Sequence, residues 1–242
     1  MKKILLICLS AAAVVFSTFA ESADYRLNVQ DFTELKVSDN ISVVYQSEPD
    51  SAGWVRFTCD PSIASKLMFN NNKSRLTIQL STEEPTVEGS PVVYVSSSVL
   101  TKAENSGDSV LVLHNPADIN SLKIRVIGNG MIIAENVHAS SVDAGITTGC
   151  GRIDISGKVK KAKLQNVGTG PIHAYDLESE QTKCIILGTG PIECTVTELL
   201  SIYGAGSGTV YYKGSPEVKR RSIGVKTVHA DSDSISVQTP VK

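Results

Sequence analysis

Gly168-Thr169-Gly170-Pro171-Ile172 recurs as Gly188-Thr189-Gly190-Pro191-Ile192, twenty residues further on. A duplicated glycine-rich loop can cradle a phosphate, or it can mark the same corner of a structural repeat. The wider sequence decides between them. Gly-x-Gly pairs begin at Gly128, Gly149, Gly168, Gly188 and Gly206, at offsets of 21, 19, 20 and 18 residues, with a weaker copy at Ser106-Gly107-Asp108. Two residues after each pair stand Ile132, Ile153, Ile172, Ile192 and Val210, and two further on Ala134, Ile155, Ala174, Cys194 and Tyr212. Upstream, the matching column reads Ile124, Gly145, Leu164, Cys184 and Ile202. Apolar residues at i and i+2 with polar ones between, as in Ile153-Asp154-Ile155, predict strands with one buried face on both sides of each glycine pair. Phosphate loops require a strand, a glycine loop and then a helix, or a Gly-Lys-Ser/Thr ending. Here more strand follows.

A fixed period of this length predicts a solenoid in which each repeat makes one coil. Twenty residues at about 3.3 Å give a perimeter of about 66 Å, room for two or three short strands with corners. Glycine is expected at the corners because it tolerates positive φ. The expected fold is all-β: a right-handed parallel β-helix or β-solenoid with ~20-residue coils, flanked by additional N- and C-terminal strands.

Residues 24–100 lack the glycine period but read as strand around Leu35, Val37, Ile41, Val43 and Tyr45, then Trp54, Phe57 and Cys59, then Leu76, Ile78 and Leu80, then residues 92–95. Asp60 and Pro61 can open one helical turn as N-cap and first position. The first 20 residues read as a signal peptide: Lys2-Lys3, an apolar run over 4–16, and Thr18 and Ala20 at the −3 and −1 positions. The mature chain, 21–242, is expected to be a single domain: N-terminal strands over 21–100, the repeat region over 101–212 and a C-terminal cap over 213–242. No later apolar run is long enough to span a bilayer.

Loss of Lys2 and Lys3 leaves 21 basic against 25 acidic residues and no basic block, which argues against nucleic acid. Cys59, Cys150, Cys184 and Cys194 contain no CxxC pair, so a zinc cluster is not expected; Cys184 and Cys194 fall on apolar strand positions and read as small hydrophobes, with oxidation left open for an exported chain. His114, His138, His173 and His229 have no metal-binding spacing. No Gly-x-Ser-x-Gly elbow occurs. Asp143, Asp154, Asp176 and Glu193 are the carboxylates that stacked coils could bring together, although Asp154 and Glu193 alternate with inward positions. No catalytic, metal or cofactor-binding residue is assigned. Ser51, Ser109 and Ser234 each follow Asp and precede an aliphatic residue or Ala, a pattern like the Bacteroidetes O-glycosylation acceptor.

Phe32, Leu35 and Val37, then Ile41-Ser42-Val43-Val44, serial glycine-marked coils, and Tyr212, Gly214 and Pro216 together resemble the auto-transporter adhesin head domain called GIN, common in exported Bacteroidetes proteins. The resemblance covers nearly all of the mature chain. It departs at Asn129, Cys150, Pro171 and Pro191, where Ser or Asp is usual. It implies an exported β-helix-like protein of the periplasm or cell surface, and it implies no catalytic residues.

The expected function is therefore a non-enzymatic cell-surface adhesin or envelope binding module, with a glycan or another envelope or host surface component as partner and no cofactor. The alternatives are a β-helix polysaccharide lyase or hydrolase, and a periplasmic envelope-assembly or stress module. No translocator barrel is read within the 242 residues, so surface display is expected to use separate machinery.

Overall fold

The computed structural model describes residues 22–81 and 91–230. The expected signal peptide and Ser234 lie outside them. The chain forms a β-solenoid of about 6 turns with ~20-residue coils. Its first nine strands are β1 (Ala23–Asn28), β2 (Glu34–Val37), β3 (Val43–Ser47), β4 (Trp54–Cys59), β5 (Leu67–Asn72), β6 (Arg75–Leu80), β7 (Val93–Ser97), β8 (Lys102–Asn105) and β9 (Val110–His114). The repeat region and C-terminus supply β10 (Ile119–Ile127), β11 (Met131–Thr148), β12 (Arg152–Asn166), β13 (Ile172–Ile186), β14 (Ile192–Ala205), β15 (Thr209–Lys213), β16 (Glu217–Ile223) and β17 (Lys226–His229).

Strands of successive coils pair in parallel, so equivalent residues stack. One inward stack runs Val93, Val43, Leu111, Ile132, Ile153, Ile172, Ile192, Val210, every member without exposed surface. Each such aliphatic side chain contributes about 1.5–3 kcal/mol by leaving water. A second stack runs Leu76, Leu35, Ala103, Ile124, Ala144, Leu164, Cys184, Ile202. Here the sequence expectation needs correction: Ala144, and not Gly145, lies under Ile124. The ladder shifts register between Val126 and Ile127, which inserts one residue between that stack and the next corner.

The glycine corners also need a different physical account. Of the five pairs, only Gly128 and Gly149 have positive φ, 107° and 80°. The others are required because coils approach too closely for a side chain: a Cβ on Gly170 would collide with the Gly151 carbonyl, and one on Gly190 with that of Gly170.

The coils do not stack in chain order. β2 pairs with both β6 and β8, and β3 with both β7 and β9, so the first coil lies between two that follow it in sequence. Antiparallel strands close this end: β5 on β6, β4 on β7, and β1 on β4. Tyr25 and Phe69 stack on Phe57 at centroid distances of 5.0 and 5.6 Å. The helical turn Pro61–Ala64 forms where expected, and Asp60 caps it by accepting from the Ser62 N–H at 2.7 Å. At the other end β16 stacks on β14 and β17 on β15. Among the described residues no helix is long and apolar enough to cross a membrane.

Candidate functional site

Because coils are in register, outward side chains also stack, about 4.8 Å apart, and each face acquires a chemistry of its own. On the face built from β8, β10 and the later halves of β11 to β14, one outward row reads Lys102, Lys123, Asp143, Lys163, Lys183, Ser201, Lys219. The next reads Glu104, Arg125, Gly145, Gln165, Ile185, Tyr203, Arg221. Stacked like charges repel across strands, and one carboxylate serves the middle of this face: Asp143 pairs with Arg125 at 2.8 Å and with Lys163 at 3.3 Å. Lys123 and Lys161 have no ion-pair partner among the described residues. The Lys183 ammonium lies 4.8 Å from the Tyr203 ring centroid, held over its electron-rich face. Asp143, Lys161, Lys163, Gln181, Lys183 and Tyr203 border an open groove of about 330 Å³ running across successive coils.

The face begun by β9, the start of β11 and β15 is acidic and histidine-bearing. Asp154, His173 and Glu193 are neighbours on three coils. His173 and Glu193 are 2.7 Å apart, His114 and Glu135 2.6 Å, and Arg152 and Asp154 2.7 Å. Burial, then the negative charge of Glu193, pushes the Tyr175 phenol up to about 12. Of the four carboxylates singled out in the sequence, Asp154, Asp176 and Glu193 border one depression here, while Asp143 belongs to the basic face. Arg152 and His173 engage two of these three carboxylates, Asp154 and Glu193. The other histidines contact backbone: His138 the Asn136 carbonyl and His229 the Gly214 carbonyl, each at 2.9 Å. Among the described residues no three His, Cys, Asp or Glu converge as a metal site.

All four described cysteines are free thiols. Cys184 and Cys194 belong to inward stacks, and the neighbouring Cys194 thiol, together with burial, pushes the Cys184 thiol well up. Ser109 is buried and donates to the Ile41 carbonyl at 2.5 Å, so the folded chain does not present it to a modifying enzyme. Ser51 donates to Glu48 at 2.6 Å. Cross-coil pairs such as His173–Glu193 were missed in the sequence, yet they sit one coil apart and are readable once the period is applied between coils. The inward Asn105 and Asn166, two residues before a glycine corner, were missed as well.

The family described as "putative auto-transporter adhesin, head GIN domain" matches residues 31–216. No curated protein matches the sequence significantly. Among solved structures, a putative adhesin from Bacteroides fragilis superposes with a TM-score of 0.79 at 19% identity, covering 86% of this chain and 97% of its own. A putative lipid binding protein from Parabacteroides distasonis gives 0.67 at 19% identity, covering 87% and 98%. A putative adhesin from the same species gives 0.64 at 23% identity, covering 87% and 97%. At these identities the likeness establishes a shared fold.

Proposed function

The chain belongs to the head GIN domain family, and from that membership we propose that it is an exported, non-catalytic adhesin-like solenoid that holds an extended anionic polymer, of the acidic glycan class, along its basic face. The observation carrying this reading is the axial row of lysines interrupted only by Asp143 and Ser201, in a chain whose formal net charge is −2. A parallel stack keeps these ammonium groups at fixed spacing, so a linear ligand meets several at once without first ordering the protein. Tyr203 and Gln181 add an aromatic face and an amide to the groove. The leader-like N-terminus supports export, to the periplasm or outer surface.

The test is titration of the mature chain with alginate and, in parallel, with neutral dextran. Alginate binding that weakens steeply with salt, and that falls in Lys161→Ala/Lys183→Ala, supports the reading; equal binding of dextran or none of alginate overturns it. A second reading, a β-helix carbohydrate-active enzyme, is favoured by the Asp154, His173 and Glu193 row. New reducing ends or unsaturated uronates in the same incubation would establish it in place of the first.

A further inference from the structure

The antiparallel sheet at the N-terminal end carries a group of side chains that the basic face does not use. Arg26 of β1 stands opposite Arg56 of β4, and Arg56 stands opposite Tyr94 of β7. Like charges directly opposite on neighbouring strands destabilise a sheet unless something neutralises them. Among the described residues neither guanidinium has a carboxylate partner. Asp24, two residues from Arg26, is instead engaged by the Thr58 hydroxyl, which donates to it at 2.6 Å.

Arg26 is nonetheless fixed. Its guanidinium carbon lies 4.1 Å from the Trp54 ring centroid. Stacking uses the flat face of a guanidinium and leaves its in-plane N–H donors available. Trp54 therefore positions Arg26 before any ligand arrives. Tyr94 is 50% exposed. Asp24, Arg26, Arg56, Thr58 and Tyr94 border an open depression of about 500 Å³, separate from the lysine groove.

We propose that this depression binds a carboxylate-bearing sugar of the uronate class. The sugar carboxylate takes charge-assisted hydrogen bonds from Arg26 and Arg56. The C–H face of its ring packs against Tyr94, as apolar groups do on an aromatic face. Asp24 accepts hydrogen bonds from sugar hydroxyls and repels a second negative charge. With Asp24 beside Arg26 and Arg56 the depression carries about one net positive charge, too little to neutralise a run of consecutive phosphates, which disfavours nucleic acid and polyphosphate. The site stands whether or not the lysine face holds a polymer.

The experiment is calorimetric titration of the mature chain with trigalacturonate, with its methyl ester (the same rings without charge) and with inorganic sulfate. Arg56→Ala is the main variant, because Arg56 makes no side-chain hydrogen bond or ion pair among the described residues; a matching thermal melt confirms folding. The expected result is saturable trigalacturonate binding that weakens about tenfold or more in Arg56→Ala and for the methyl ester, and that recovers only in part in Arg56→Lys, which keeps the charge and loses the fork. Lys161→Ala/Lys183→Ala should leave it unchanged. Absent binding, unchanged binding in Arg56→Ala, or sulfate competing as well as the trisaccharide each overturns the sugar site. Trigalacturonate binding that persists in Arg56→Ala and is lost in Lys161→Ala/Lys183→Ala would sink this site alone, whereas alginate binding that is lost in Arg56→Ala and untouched in Lys161→Ala/Lys183→Ala would sink the lysine-face reading and leave this one.

Discussion

Asn166 donates its side-chain amide to the carbonyl of Gly170 at 2.8 Å from a position with no exposed surface. The same nitrogen reaches the Pro191 carbonyl at 3.3 Å, tying the corner of one coil to the next. Asn105 repeats the device three coils earlier, donating to Ser109 at 2.8 Å and to Met131 at 3.1 Å.

Removing that donor strands the Gly170 carbonyl, while the Pro191 carbonyl keeps the Ile172 N–H at 3.0 Å. Asn166→Ala is expected to cost about 1–3 kcal/mol in urea unfolding. Asn166→Asp should cost more at neutral pH, because it buries a charge without a partner. Its deficit relative to wild type should shrink on acidification, as the protonated carboxyl regains a donor. A deficit that does not change with pH would argue against this hydrogen-bonding role.

Close coil approach at the corners predicts a steep penalty for one methyl group. Gly170→Ala should lower stability by about 2–3 kcal/mol, since backbone of the preceding coil occupies the space. Thr169→Ala, one residue away and exposed, should stay within about 0.5 kcal/mol. Thermal melts of the two variants side by side make the comparison.

Acid sensitivity should have an identifiable contributor in Glu104. Burial alone would raise its carboxyl, but Lys102 and Lys36, each 3.1 Å away, outweigh it and hold the group below its ordinary range. A carboxyl lowered in the folded state stabilises the fold above its unfolded pKa, and that contribution disappears as pH falls through the folded value. Glu104→Gln should therefore be less stable than wild type at neutral pH, and the two urea midpoints should converge below about pH 4.

Thiol reactivity should separate the cysteines. Cys150 is exposed, while Cys59, Cys184 and Cys194 are buried. In protein prepared under reducing conditions, Ellman's reagent should titrate one of these thiols at once and the other three only on unfolding, because the thiolate is the reacting species. Cys150→Ser should abolish the fast phase.

The solenoid was legible because close packing at the corners writes itself into the sequence as glycine at a fixed interval. Ile132, Ile153, Ile172, Ile192 and Val210 occupy the stack their spacing predicted. Gly145 was misassigned because a bulge alters the distance from strand to corner without changing the residue types around it. The pairing of Leu35 with both Leu76 and Ala103 had no periodic mark at all. The charged faces were partly readable: Lys163 and Lys183 stand one period apart, as do His173 and Glu193. The apposition of Arg26, Arg56 and Tyr94 was not readable, since it depends on antiparallel register between segments that do not repeat.

The position of the first coil between two later ones bears on how the chain acquires its shape. Both flanks of β2 and β3 are covered by segments made afterwards, the last of them ending at His114. A nascent polypeptide therefore cannot wind up from its N-terminus, one turn upon the last. The opening turn has to wait, unzipped, for distant partners, and long-range pairing of this kind is slow. The repeats beyond it, each meeting its neighbour about twenty residues away, can form first and serve as the template on which the beginning of the chain is finally laid down.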